Sequence, residues 1–186
     1  GTAQPAEKLQ RSDFGIPHDA IVFASGANFF KILPETEDVW LRILEAVPGS
    51  RLIMYPFGPQ WGGNYPVDAF MSRLLAALQR HGIDPQRILV FKPAEKREAI
   101  LQRLTLADIY LDSFPFSGAT SLLDPLLAGL PAVTLDGTSF RTLVGPAILR
   151  SLGLAELVAT DSEAYTALAL RLARDTPLRA AIAAQI

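Results

Sequence analysis

Short apolar runs rich in β-branched, leucine and aromatic residues alternate along this chain with longer segments whose apolar positions recur at three- and four-residue spacing. The runs predict strands at Ala20–Ala24, Arg51–Tyr55, Ile88–Phe91, Asp108–Leu111, Ala132–Leu135 and Leu157–Ala159. None alternates with period two, the pattern of strands covered on both faces. The amphipathic segments predict helices at Glu37–Val47, Val67–His81, Lys96–Leu104, Thr120–Ala128, Phe140–Leu152, Ser162–Arg174 and Pro177–Ile186. Pro34-Glu-Thr-Glu37 opens the first helix, and Pro48-Gly49, His81-Gly-Ile-Asp-Pro85 and Gly129-Leu-Pro131 close helices ahead of strands. Six strand–helix alternations predict an α/β fold with a doubly wound, mostly parallel sheet of about six strands. Ligands on such sheets sit at the carboxyl ends of the strands, where strand order reverses.

One stretch carries the most chemistry, Ala107-Asp-Ile-Tyr-Leu-Asp-Ser-Phe-Pro-Phe-Ser-Gly-Ala-Thr-Ser-Leu-Leu-Asp124. A buried strand runs into the small-residue turn Ser117-Gly118-Ala119-Thr120-Ser121, which opens a helix with Asp124 expected in its first turn. Free N–H groups and the positive dipole end of a helix attract a phosphate, and residues without bulk let it approach. Asp124 suits sugar hydroxyls, so the pieces together fit a nucleoside diphosphate. Taken singly, Thr120 is an ordinary N-cap and Asp124 complements the helix dipole.

Two other loops are expected at the same edge. After the first strand, Ser25-Gly-Ala-Asn-Phe-Phe-Lys31 offers Lys31 to neutralise a phosphate, and Asn28 either to bond a ligand or to cap its turn. After the third, Phe91-Lys-Pro-Ala-Glu-Lys-Arg97 offers backbone groups to a base edge, with Lys92 or Arg97 reaching ribose or phosphate. Glu95 suits a helix start, whereas Lys96 and Arg97 do not. The segment from Phe57 to Pro66 is either a mobile loop over a ligand or a connector whose Trp61 packs on the surface.

With 186 residues, 49% hydrophobic and 19% charged, the chain is long and apolar enough for a substantial core. A net charge of -2 without a basic tract speaks against nucleic-acid partners. The lack of cysteine removes disulfides, thiolate catalysis and cysteine-bound zinc. No signal peptide or membrane-length apolar run is seen, so a cytoplasmic protein with no membrane partner is expected. Neither Gly-x-Gly-x-x-Gly after the first strand nor a Walker lysine occurs. His18 and His81 fall in turns away from the strand ends, so no metal site is expected, and no nucleophile–base pair stands out. Residues 1–13 read as an arm or linker and 14–186 as the domain. The polar start and an end within an apolar helical pattern suggest a piece of a longer chain.

Several motifs resemble family 41 glycosyltransferases, the group of O-linked N-acetylglucosamine transferases, SPINDLY-type proteins and bacterial adhesin N-glucosyltransferases. They are Phe14-Gly-Ile-Pro-His-Asp-Ala-Ile-Val-Phe23, Lys31-Ile-Leu-Pro-Glu-Thr36 and Trp40-x-x-Ile-Leu-x-x-Val-Pro-Gly-Ser-Arg-Leu52. More specific are Leu106-Ala-Asp-Ile-Tyr-Leu-Asp-Ser-Phe-Pro-Phe116, Gly118-Ala-Thr-Ser-Leu-Leu-Asp124 and Ala128-Gly-Leu-Pro-Ala-Val-Thr134. The resemblance runs from about Arg11 to Arg174.

It implies the donor-binding, Rossmann-like C-terminal half of a GT-B enzyme that takes a UDP-sugar without a metal. Lys31 is then the catalytic cation on the diphosphate, with Thr120 and Ser121 contributing backbone and Gly118 and Ala119 shaping the turn. Asp124 holds the ribose, Arg97 stands where a lysine often lies near it, and Asn28 stands where the O-linked branch has glutamine. A protein or peptide acceptor belongs to the other half, without which this half binds nucleotide but does not turn over. Two departures stand out: Ala119 replaces a histidine of the O-linked branch, and a base-stacking histidine aligns near Ile100. The Phe114-Pro-Phe116 turn and the Trp61 loop look nearer to the bacterial N-glucosyltransferases. A non-catalytic module and another kind of GT-B enzyme, acting on lipids or small molecules, are the alternatives.

Overall fold

The computed structural model describes residues 9–56, 67–92, 94 and 96–186. The 57–66 segment with Trp61, Glu95, and most of the expected arm lie outside the described residues. The strands are β1 (Val22–Ser25), β2 (Arg51–Met54), β3 (Ile88–Val90), β4 (Ile109–Leu111), β5 (Ala132–Leu135) and β6 (Val158–Ala159). The helices are α1 (Pro34–Ala46), α2 (Val67–Arg80), α3 (Arg97–Leu104), α4 (Thr120–Leu127), α5 (Phe140–Ser151), α6 (Ser162–Arg174) and α7 (Thr176–Gln185). No helix among the described residues is long and apolar enough to cross a membrane.

All six strands are parallel, in the order β3-β2-β1-β4-β5-β6. Phe23 of β1 pairs with Leu52 on one side and Ile109 on the other. The chain therefore winds outward from β1 in one direction and from β4 in the other, as the doubly wound reading expects. Every residue of β1 and β4 is buried, which explains why neither alternates in sequence. Helices α1 and α2 pack together with α6 beside α1, and α3 packs on α4.

Element ends differ from the expected ones where local bonding intervenes. Helix α1 starts at Pro34 instead of Glu37, because the ring of proline presets the first helical φ. Strand β1 starts at Val22 instead of Ala20, because Ala20 N closes a turn on Pro17 O at 3.1 Å. The Ala20 carbonyl instead takes the Arg11 guanidinium at 3.0 Å. The same guanidinium reaches Leu106 O at 3.1 Å and Asp108 at 2.9 Å, and so anchors the chain beneath the sheet.

The two halves of the sheet are tied through aromatic side chains. Tyr165 of α6, fully buried, donates its hydroxyl to Asp112 O at 2.8 Å and accepts from Trp40 Nε1 of α1 at 3.3 Å. Its pKa is driven well above the ordinary tyrosine value by burial, so the hydroxyl stays a neutral donor. Tyr165→Phe strands two buried backbone and indole partners. We expect a loss of about 1–3 kcal/mol, read as a lower denaturant midpoint with an unchanged slope.

Candidate functional site

Where strand order reverses between β1 and β4, their loops part and leave a cleft of ≈ 210 Å³ lined by Gly26, Asn28, Lys31, Ala119, Thr120 and Ser121. One wall is the loop after β1. Gly26 is required there, since a Cβ would lie 2.7 Å from the Tyr55 ring. Its N–H donates to Tyr110 Oη at 3.2 Å. Asn28 accepts from Phe30 N at 3.3 Å and so caps the short turn Phe29–Lys31 while also lining the cleft. That turn is fixed from behind by Phe29 stacked on Phe70 at 4.1 Å, and it carries Lys31 to the mouth. Lys31 Nζ crosses the cleft to Ser117 O at 3.4 Å, a long contact that a better acceptor would displace.

The opposite wall is the start of α4. Its N-cap is Ala119, not Thr120, and Ala119 has no side chain with which to cap. The N–H groups of Leu122 and Leu123 both turn back to Ala119 O. Those of Thr120 and Ser121 have no partner among the described residues and face the cleft at the positive end of the helix. Asp124 lies in the second turn of α4, not the first, because with Ala119 as the cap Thr120 is already the first helical residue and Asp124 the fifth. It is buried, and its Oδ1 takes the exposed Arg97 guanidinium through Nε at 2.7 Å and Nη2 at 2.6 Å.

Not every expected residue joins the cleft. Lys92 is exposed on the loop after β3. It lines a separate apolar cavity of ≈ 340 Å³ with Phe29, Pro56, Val67, Met71, Val90 and Phe91. Gly118 lies buried beneath the wall; a Cβ there would stand 2.5 Å from Ser121 Oγ and 3.0 Å from Asp112 Oδ1. His81 pairs with Asp38 at 3.1 Å, away from the cleft. No group of three or more His, Asp or Glu side chains among the described residues is placed to hold a metal.

A cleft at the switch point, walled by a lysine and an uncapped helix start, is the arrangement the small-residue motif implied. The family model of glycosyl transferase family 41 matches residues 5–186. The chain belongs to glycosyl transferase family 41. It is 38% identical over 157 residues to a probable UDP-N-acetylglucosamine–peptide N-acetylglucosaminyltransferase SPINDLY of Petunia hybrida, covering 83% of this chain and 16% of that protein. It is 36% identical over 165 residues to the UDP-N-acetylglucosamine–peptide N-acetylglucosaminyltransferase of Caenorhabditis elegans, covering 89% of this chain and 14% of that one. A Thermobaculum terrenum O-GlcNAc transferase mutant superposes with a TM-score of 0.80 at 31% identity, over 90% of this chain and 31% of that one. The fold alone is shared with α,α-trehalose 6-phosphate synthase from Burkholderia multivorans, with a TM-score of 0.62 at 16% identity, covering 94% of this chain and 39% of that one. The chain thus spans a small part of the curated relatives.

Of the two departures from the family pattern, Ala119 is exposed at the rim and Ile100 is packed in the core, where it presents no face to a ligand. The residues that sequence reasoning passed over form the floor. Asp112, at the end of β4, is 1% exposed. Its Oδ2 accepts from Ser117 Oγ at 2.6 Å and Thr134 Oγ1 at 2.9 Å, and its Oδ1 accepts from Gly118 N at 2.8 Å. Ser117 Oγ in turn accepts from Gly145 N at 2.8 Å. Burial pushes the Asp112 carboxyl up to about 6, against the opposing pull of these donors and of Lys31. Tyr55 and Tyr110 complete the floor, both raised chiefly by burial, Tyr55 further by its neighbour Tyr110 and Tyr110 by Asp112. The available signal was a polar residue at or beside the carboxyl end of three strands: Ser25 ends β1, Asp112 follows β4 and Thr134 stands next to last in β5.

Two predictions follow from this floor. A Cβ at Gly145 collides with Ser117 Oγ and lies 2.6 Å from Asp112 Oδ2 and 2.7 Å from Thr134 Oγ1. Gly145→Ala gains up to about 1 kcal/mol of helix propensity but should still destabilise, since overpacking costs about 1–3 kcal/mol; equilibrium denaturation measures the sum. Asp112 binds its proton more tightly in the folded chain, at about 6 against an ordinary 3.8. Its contribution is therefore complete at low pH and is lost as pH rises through that window. The stability of the native chain relative to Asp112→Asn should fall by about 3 kcal/mol between about pH 4 and 6, then level off.

Proposed function

We propose that this chain is the donor-binding domain of a glycosyltransferase that modifies protein side chains, and that it holds a UDP-sugar, with glucose or N-acetylglucosamine as the sugar. The observation that carries this reading is the placement of Lys31 directly across the switch-point cleft from the unpartnered N–H groups of Thr120 and Ser121. A diphosphate in the cleft meets a cation on one side and a helix dipole on the other. Asn28 lies at its edge. Asp124 accepts ribose hydroxyls through the oxygen that Arg97 leaves free, and Arg97, bonded to the other oxygen, holds the carboxylate in orientation. Lys92 lines the separate apolar cavity and not this cleft.

In sugar transfer the bond from the anomeric carbon to the β-phosphate oxygen breaks, and negative charge grows on the departing diphosphate. Lys31 and the start of α4 meet that charge as it develops, the electrostatic contribution that a preorganised site makes best. Lys31 is the catalytic residue in this sense. Activation of the acceptor, a protein or peptide, falls to parts of the enzyme beyond this domain, so the domain alone binds donor without turning it over. A bacterial source and a cytoplasmic location belong to the same proposal. The first is supported by the likeness of the Phe114-Pro-Phe116 turn to bacterial N-glucosyltransferases.

Thermal shift and calorimetric titration with UDP, GDP, ADP and NAD test the reading. Selective stabilisation by UDP is expected, growing with ligand concentration as linkage requires. Lys31→Ala removes a charge-assisted contact worth about 1.5–3 kcal/mol, a loss of roughly 10- to 150-fold in affinity. Silence with all four ligands would point to a non-catalytic module of the same fold, and a preference for NAD would exclude the donor assignment.

A further inference from the structure

The carboxyl of Asp112 lies beneath the cleft, one hydrogen bond from Gly118, where a Cβ would meet both Asp112 Oδ1 and Oγ of the cleft-lining Ser121. No cation touches it among the described residues. The positive charge acting on it is Lys31, which is also the cation of the cleft. The other titratable groups facing it are the hydroxyls of Tyr110 from β4 and Tyr165 from α6, both neutral. A carboxylate and a diphosphate thus compete for one lysine across a thin wall.

The floor tolerates either charge state of this carboxyl. Ser117 and Thr134 meet it through hydroxyls, which rotate to donate or to accept. A proton on Oδ2 turns either of those bonds round, while Gly118 N keeps its acceptor in Oδ1. The Ser117–Gly118 turn therefore stays in place whether Asp112 is ionised or neutral, and only the charge beneath the cleft changes.

We propose that Asp112 is a positioning residue of the donor pocket, fixing the Ser117–Gly118 turn from below and binding its proton more tightly, with net uptake of a fraction of a proton from solvent, when a diphosphate claims Lys31. This rests on the donor-site reading. With the ligand bound, Lys31 is engaged and two further negative charges stand above a buried carboxylate, so its proton affinity rises. By linkage, donor then binds more tightly as pH falls toward the value at which the free carboxyl titrates, about 6.

The test is calorimetry with UDP-N-acetylglucosamine in buffers of different ionisation enthalpy. The diphosphate of this ligand is a diester with no proton to exchange near neutrality, so any uptake belongs to the protein. Net uptake of a fraction of a proton is expected, largest just above pH 6, with affinity rising several-fold as pH is lowered through the uptake window. Asp112→Asn, a neutral isostere that keeps a carbonyl for Gly118 and an amide for the hydroxyls, should bind with no uptake and with a flat pH profile. At alkaline pH it should bind at least as tightly as the native chain. In the native chain itself, the carboxyl carbon resonance of Asp112 should titrate at higher pH with ligand than without, an outcome independent of any variant. Binding without uptake, or uptake that persists in Asp112→Asn, overturns the proposal while leaving the donor site standing. No binding by the native chain removes the donor site and this inference together.

Discussion

Two adjacent parallel strands whose chains leave the sheet in opposite directions cannot have loops that pack on each other. That constraint, set between β1 and β4, governs the rest of the molecule. The gap it leaves must be floored, because backbone polar groups at strand ends are costly to bury without partners. In this chain the floor is made of side chains from both halves of the sheet. Tyr110 answers the Gly26 amide, Asp112 answers Gly118, and Tyr165 answers the Asp112 carbonyl. The cleft is thus the visible side of a hydrogen-bond network whose hidden side holds the sheet to its helices.

The network works only because glycine appears where two elements come closest. Gly26 lies against the Tyr55 ring, Gly118 between Asp112 and Ser121, and Gly145 against Ser117, Asp112 and Thr134. In each case the constraint is space, not backbone conformation, since none of the three has a positive φ. Close approach lets a helix amide from α5 reach the same serine hydroxyl that Asp112 holds, so α5 and the cleft-facing turn share one anchor.

How much of this was legible follows from where each signal lies in the sequence. The sheet was readable because each buried strand is a contiguous apolar run bounded by glycine or proline. The cleft walls were readable because Lys31 and the Ser117–Ser121 turn each follow a strand directly. Lys92 follows a strand too, but β3 lies two strands from the reversal, roughly 10 Å away at the usual spacing, and residue type carries no information on strand order. Arg97 meets Asp124 because α3 packs on α4. The role of Asp112 was hidden for another reason: its partners Ser117, Gly118 and Thr134 come from two separate loops and strands, and the glycine that makes room for them sits in α5. Thr120 read as a cap by composition, yet the chain enters the helix one residue earlier, at Ala119.

The exposed position of Ala119 bears on how such a domain diversifies. Its side chain is exposed at the rim, and no side-chain bond of the floor runs through it. A substitution there is exempt from the folding penalties that attach to Gly26, Gly118 and Gly145 just below. Mutation is thus channelled: the floor is frozen by sterics, while the rim is free to drift and to sample new ligand contacts one residue at a time. A fold partitioned in this way separates evolvability from stability, and can change the chemistry of its cleft rim without re-solving how to fold.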